Sequence, residues 1–344
     1  MNEIAKTSRV TSNSFWEGKR VFVTGGSGFI GSHLVEKLVE LGSDVTVLVH
    51  PGSERHRTNL SAVLDRIRVL PLALEDEYEV AGSLKAVDAL FHLAAHTGGV
   101  LYSKHHQATM CYKNLRLSVS VLEGARRAGV GRFLVCSSAC IYPADAKNPI
   151  PEEEGTRSLP EPTNLGYGLA KRMAEYLGGE YAKEYGMHVA IARPFNAYGP
   201  RDNFDPATSH VIPALIRKAL QAEKELVVWG TGNATRAFLY TEDFARGLIA
   251  VAEKGPVGEP INIGPKEFIS IRDLAYLILK LCGKKETKIV FDPTKPEGQF
   301  QRSVDTHKAE ELLGFRAKVS FAEGIKRTID WFREELKAGR QNPE

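Results

Sequence analysis

Tyr167 and Lys171 stand four residues apart at the opening of a helical pattern, which puts both side chains on one helix face. A phenol titrates near pKa ~10 and exchanges protons poorly at neutral pH; a lysine ammonium one turn away is expected to lower it. Ser138 and Cys140 belong to the stretch Phe133 to Pro143, which starts as an apolar strand and turns at Ser137 into small hydroxyl and thiol residues. A strand that ends this way delivers side chains to the crevice at the carboxyl edge of a parallel sheet. If its extended geometry persists, Ser138 and Cys140 share a face. Ser138 then holds a substrate oxygen that Tyr167 protonates. Taken alone, Tyr-x-x-x-Lys arises often by chance, and Phe133 to Pro143 reads equally as a core strand with a serine-rich turn. The surrounding elements decide.

Arg20 to Thr24 is a short β-type run feeding into Gly25-Gly26-Ser27-Gly28-Phe29-Ile30-Gly31 and then a helical pattern through Leu41. Strand, glycine loop and helix in that order make a phosphate cradle. Gly25 permits the tight turn, Gly28 lets the backbone approach a pyrophosphate, Gly31 lets the helix pack on the strand, and the helix N-terminus faces the anion. A dinucleotide is therefore the expected cofactor, and an oxidised nicotinamide adds a second positive charge near Tyr167. The next strand, Asp44 to His50, ends without the acid that binds a ribose 2′-hydroxyl. His50, Arg55 and Arg57 follow, and bases suit a 2′-phosphate. Ala89 to Ala95 reads as a fourth strand, with Leu93, Ala94 and Ala95 beneath a nicotinamide ribose.

Further strands are expected at Ile67 to Leu74 and Val189 to Pro194, and helices at roughly His105 to Ala128 and Gly168 to Glu184. This alternation predicts an α/β fold, a Rossmann-like doubly wound parallel sheet with right-handed crossovers. Beyond Pro194 the pattern is a helix Val211 to Ala222, a strand Glu225 to Trp229, strand tip and helix over Leu239 to Lys254, a strand Pro260 to Gly264, and amphipathic helices Ile271 to Cys282 and Phe321 to Leu336. The expected organisation is a flexible tail (1–17), a dinucleotide-binding domain (18–196, with returning elements at about 235–264) and a smaller α/β lobe (197–234 and 265–336).

Among the 344 residues 43% are hydrophobic and 25% charged, and the formal net charge of +3 gives no basis for a nucleic-acid or membrane partner. No apolar run approaches the roughly 20 residues of a bilayer span, and the opening residues lack a secretory pattern, so the cytoplasm is the expected location. Cys111, Cys136, Cys140 and Cys282 contain no Cys-x-x-Cys pair; reduced thiols and no metal site are expected.

Together these features resemble the extended short-chain dehydrogenase/reductase superfamily, the NAD-dependent epimerase/dehydratase family, over residues 20 to about 335. The resemblance is carried by Thr24 to Gly31, Ser137 to Pro143, Tyr167 with Lys171, and Arg193 to Pro200. Within it the chain looks most like the GDP-L-fucose synthases, through Ser138 to Pro143, Glu161 to Asn164, Gly199 to Phe204 and Ser209 to Leu215. The resemblance implies that Ser138, Tyr167 and Lys171 form a redox triad and that Cys140 and His210 are an acid/base pair. Pro194 would lie beside the cofactor, and Asn196, Lys218, Trp229 and Arg236 would bind the nucleotide sugar. The implied activity is 3,5-epimerisation of a nucleotide-linked 4-keto-6-deoxy hexose followed by C4 reduction with NADPH. The chemistry is coherent: a C4 ketone acidifies the protons at C3 and C5, and inversion needs one group to remove a proton and another to return it from the opposite face. Departures exist. Ala139-Cys140 replaces the acidic pair of the dehydratases, no lysine stands near Asp205 as in plant-type GDP-mannose 3,5-epimerases, and Ser27 and Val49 stand where the fucose synthases carry arginines.

Three other readings follow from the same residues: a nonreductive epimerase with tightly bound NAD(P), a plain C4 reductase, and a regulatory dinucleotide sensor, which would not need the triad. The resemblance also implies a homodimer through Leu115, Val119 and Leu122 and through Leu169, Met173 and Leu177, on two neighbouring helices. NADP(H) is expected over NAD(H). Arg55→Ala should weaken NADPH binding more than NADH binding in a fluorescence titration, and equal losses would count against the reading.

Overall fold

The computed structural model describes residues 14–206, 208–295 and 301–340; the side chains of residues 55, 56, 100 and 101 also lie outside the description. Seven strands form the main sheet: β1 (Arg20–Thr24), β2 (Asp44–Val49), β3 (Ile67–Pro71), β4 (Ala89–His92), β5 (Arg132–Cys136), β6 (Val189–Pro194) and β7 (Pro260–Ile263). Their spatial order is β7-β6-β5-β4-β1-β2-β3, and every neighbouring pair is parallel. The order reverses between β1 and β4, which opens a crevice at the carboxyl ends of the strands.

Both faces of the sheet are covered, which is why strands such as Val189–Pro194 are buried throughout and read as continuous apolar runs. The main covering helices are α1 (Phe29–Glu40), α2 (Gln107–Ala128), α3 (Leu165–Tyr185) and, after α4 (Val211–Gln221) of the lobe, α5 (Thr241–Lys254). Leu34, Val35 and Leu38 of α1 and Phe244, Leu248 and Val251 of α5 pack with Val21, Val23 and Phe91 on one face. Val121, Leu122 and Ala125 of α2 and Ala174 of α3 pack with Phe133, Val135 and Ile191 on the other. A separate core joins Leu215 and Ile216 of α4 to Leu274, Ile278, Ile329 and Phe332. Beside it, Glu225–Trp229 pairs in parallel with Lys288–Asp292, and Thr235–Arg236 lies between Ile269–Ser270 and Gln301–Arg302.

Several expectations are corrected. The tail expected at 1–17 stops short of Trp16, which is 1% exposed and donates its indole N–H to Glu253 at 3.2 Å; residues 1–13 lie outside the described residues. The helix expected from His105 breaks at His106 into Val100–His105 and α2. Lys288–Asp292 and the helix His307–Leu313 were not apparent in the pattern, being short and bounded by charges. Among the residues expected to pair subunits, Leu122 is buried and Leu177 packs partly buried against its own sheet, while Val119 and Met173 stay 40% and 42% exposed. Among the described residues no helix is long and apolar enough to cross a membrane.

Candidate functional site

The chain leaves β5 at Cys136, stays extended at Ser138 (φ −161°, ψ 152°) and tightens into a 3₁₀ turn over Ala139–Ile141. The extended geometry therefore ends at Ser138. What joins Ser138 to Cys140 is a cap rather than strand alternation: the Ser138 hydroxyl accepts the Cys140 N–H at 3.1 Å, satisfying a donor the turn would otherwise leave free. α3 lies directly over this turn, and Tyr167 of its first turn is close enough to Ser138 for the serine hydroxyl to favour the phenolate. Lys171, 3% exposed, donates from Nζ to the Cys136 carbonyl at 2.8 Å and sits 5.7 Å from the Tyr167 ring centroid. Tyr167, Lys171, Ser138 and Cys140 are thus gathered at one turn.

The electrostatics depart from expectation. Burial pushes the Tyr167 phenol well above its usual range, nearby Cys140 and Cys136 push the same way, and the Ser138 hydrogen bond only partly opposes them. Burial also lowers Lys171, with Cys136, Glu175 and Cys140 opposing. The expected depression of Tyr167 by Lys171 is therefore absent from the chain alone, because desolvation disfavours both charged forms.

At the switch point, Gly25 takes φ +68°, and a Cβ there would lie 2.8 Å from the Ala94 nitrogen; a Cβ on Gly31 would lie 2.1 Å from the Gly25 carbonyl oxygen. Only glycine permits this approach. α1 begins at Gly28 with no side-chain cap and no acid in its first turn, so its N–H groups face the crevice unclaimed by its own side chains. The cradle fits a dinucleotide pyrophosphate, with Ser27, Phe29 and Ile30 on its rim and Leu93, Ala94 and Ala95 half-buried after β4. Pro194 closes β6 opposite Ile263. Past β2, His50 is exposed, with Nδ1 bonded to the Pro51 carbonyl at 2.8 Å; Arg57 is paired with Glu54, and the Arg55 side chain lies outside the described residues. The basic cluster is thus partly neutralised by an acid that stands within it.

His210 is placed on a different element, the N-cap of α4. The preceding loop is fixed to the dinucleotide side: Arg201 bonds Glu36 of α1 at 2.6 Å, His33 bonds the Pro200 carbonyl at 3.0 Å, and Thr208 packs against Gly99. In the lobe, Lys218 lies 5.5 Å from the Trp229 ring centroid, joined by Lys295 at 6.0 Å. Arg236 stands in register with Arg302, which donates to the Ala139 carbonyl and so places a cation beside the Cys140 turn, while Arg236 donates to the Thr235 carbonyl at 2.8 Å. Asn196 binds the 237–239 strand edge, its amide donating to the Ala237 carbonyl at 3.4 Å. Arg302, Lys295 and Asp202, the last described below, escaped the sequence reading because only tertiary pairing brings them to these neighbours. Among the described residues no group of three or more His, Cys, Asp or Glu is arranged to hold a metal ion.

Comparison with known proteins gives consistent matches. The family model described as the NAD dependent epimerase/dehydratase family matches residues 21–264. A dTDP-4-dehydro-6-deoxy-D-allose reductase of Streptomyces bikiniensis is 33% identical over 92% of this chain and 97% of its own length. A GDP-L-fucose synthase of Sinorhizobium fredii is 35% identical over 92% of this chain and 96% of its own. Among solved structures, a UDP-glucose 4-epimerase of Thermotoga maritima with UDP-glucose superposes with a TM-score of 0.81 at 31% identity, covering 92% of this chain and 99% of that one.

Gly168 is the close contact on which the cluster depends: a Cβ there would lie 2.5 Å from the Cys140 carbonyl oxygen. Gly168→Ala is expected to lift α3 from the turn, part Tyr167 from Ser138 and lower kcat on the order of 10²-fold, with dinucleotide binding nearly unchanged. Steady-state kinetics with a dinucleotide titration checks this, and full kcat would refute the contact's importance.

Proposed function

Because the chain belongs to the NAD dependent epimerase/dehydratase family, we propose that it is a nucleotide-sugar 3,5-epimerase and 4-reductase acting on a nucleotide-linked 4-keto-6-deoxy hexose. The observation that carries this reading is the gathering of Tyr167, Lys171, Ser138 and Cys140 at one turn, with His210 on a separate loop. Bound in the glycine cradle, the dinucleotide supplies hydride for C4. Tyr167 gives its proton to the C4 oxygen, and Ser138 holds that oxygen by hydrogen bond. Lys171, anchored on the Cys136 carbonyl, supplies the positive charge that favours the resulting phenolate. Before reduction, Cys140 and His210 exchange the C3 and C5 protons from opposite faces of the ring while Ser138 and Tyr167 stabilise the enolate oxygen. Arg236 with Arg302 suits the diphosphate and Trp229 with Lys218 the nucleotide end. We take NADP(H) as the preferred dinucleotide on the absence of an acid after β2, and residues 18–196, with the returning strand β7, as the dinucleotide-binding domain.

A reductase without epimerisation is the second reading, favoured by the name of the Streptomyces bikiniensis relative. Mutation separates the two. Cys140→Ser raises the base's pKa and is expected to cut solvent deuterium incorporation at C3 and C5 on the order of 10²-fold while the ketone is still reduced. Tyr167→Phe should do the reverse. If Cys140→Ser and His210→Asn both keep full exchange, or if the unaltered enzyme exchanges nothing, the plain reductase is the answer.

Tyr112 and Val119 of α2 and Met173 and Tyr176 of α3 leave large apolar surface exposed, between 40% and 62%. Two adjoining helices with such a stripe suit a second copy of the same face, so a homodimer is part of the reading. Sedimentation at micromolar protein should give the mass of two chains and Met173→Asp that of one; a single-chain mass for the unaltered protein removes the dimer.

A further inference from the structure

We propose that Asp202 is a positioning residue for His210: its buried carboxylate holds the imidazole as a cation with Nδ1 turned inward, presenting Nε2–H to the sugar. The inference rests on the proposed role of His210 in inversion. Asp202 is 2% exposed at its side chain and places Oδ1 3.6 Å from His210 Nδ1, whereas the His210 side chain is 62% exposed. Oδ1 also accepts the Asn203 N–H at 2.7 Å. Oδ2 is buried with no hydrogen-bond partner among the described residues. A carboxylate taken out of water and left half-satisfied is costly unless a cation compensates, and the ion pair the structure gives it is His210.

The backbone is bent to make this contact. Arg201 holds φ +69°, a left-handed conformation that is unfavourable for a non-glycine residue, and its guanidinium is tied to Glu36 at 2.6 Å. The next residue, Asp202, is thereby turned inward against the start of α4.

His210 needs such a partner. It stands at the N-cap of an eleven-residue helix without capping it, where the partial positive charge of the helix end disfavours an imidazolium. Asp202 outweighs this: its interaction is the largest influence on His210 and raises the pKa above the ordinary value. The other charged groups nearby are committed or remote. Arg201 pairs with Glu36, Asp205 accepts the Thr208 N–H at 3.0 Å, and Arg217 lies two turns along α4.

The arrangement suits His210 as the acid. The Cys140 thiolate takes a proton from C3 or C5, and the electron pair moves onto the C4 oxygen as an enolate. The carbon then takes a proton from His210 Nε2 on the opposite face and the ketone reforms, leaving a thiol and a neutral imidazole that exchange protons with water. Because the His210 pKa is raised, the imidazolium persists to higher pH, and its acid function is lost only as pH rises through that raised value.

The experiment compares unaltered enzyme, Asp202→Asn, Asp202→Glu and His210→Asn. Solvent deuterium exchange is followed against pH and the His210 imidazole is titrated by NMR, with dinucleotide binding as the check on folding. Asp202→Asn should move the basic limb of the exchange profile and the His210 titration to lower pH and reduce exchange at pH 8 about tenfold. Asp202→Glu should restore part of both. An unchanged profile and titration in folded Asp202→Asn overturns the proposal. Should that variant not fold, the titration of His210 in the unaltered enzyme decides: a midpoint above about 6.5 supports it, one at or below overturns it. Retention of exchange by His210→Asn instead refutes the role of His210 itself, an outcome distinct from the failure of Asp202.

Discussion

The cluster proposed as catalytic hangs on one buried ion pair. Arg193 of β6 grips Glu175 of α3 with Nε at 2.9 and 3.1 Å and Nη2 at 2.7 Å, and both side chains are nearly inaccessible. Glu175 stands one helical turn beyond Lys171, which stands one turn beyond Tyr167. Arg193 also reaches the Tyr142 hydroxyl at 3.1 Å and the Glu152 carbonyl at 2.6 Å. Tyr142 passes the connection to Asn262 of β7 at 2.6 Å. Burying two charges costs several kcal/mol per ion before their attraction is counted, so apolar residues of similar volume would hold helix to sheet as well or better. What apolar packing lacks is direction. A forked pair braced further by Tyr142 and the Glu152 carbonyl fixes the rotation and height of α3 over β5 and β6, and that sets where Tyr167 and Lys171 meet the Ser138 turn.

Burial at this point serves chemistry at the expense of charge. The same desolvation raises Tyr167 and lowers Lys171, so burial favours a neutral phenol. A proton is then held on Tyr167, as the proposed reduction requires. His92, on β4, obeys the same rule: buried, with Thr24 Oγ1 at 2.9 Å from its Nδ1, it is pushed down to about 3 and stays uncharged beside Lys171.

The groups proposed for reduction and for inversion sit on different supports. Tyr167 and Lys171 belong to α3, whereas His210 belongs to a loop tied through Arg201 and His33 to α1, the helix that begins at the glycine cradle. The loop carrying the proposed acid is therefore held by the element that would hold the pyrophosphate. Arg302 links the lobe to the Cys140 turn in the same manner, through the Ala139 carbonyl.

What depends on neighbours along the chain is legible before any folding is considered. The glycine loop between Thr24 and Phe29, the alternation of strand and helix, and the four-residue spacing of Tyr167 and Lys171 are local, because a turn, a helix start and one helical face are each set within a few residues. Tertiary structure decided the rest. Ser138 and Cys140 are joined by a 3₁₀ cap instead of a shared strand face, since α3 presses on the turn at Gly168. Trp16, hidden in a polar stretch, is anchored by Glu253 far away in the chain. Arg57, which reads as a phosphate ligand, is paired with Glu54. Asp202 lies within the Gly199 to Phe204 motif, but its role, like that of Arg302, is not set by neighbours along the chain; it comes from contact with His210, and that of Arg302 from Ala139. The sign of the Tyr167 shift could not be read from Lys171 four residues away, because the competing quantity, the loss of water around the phenol, exists only once helix, strand and turn have closed over it.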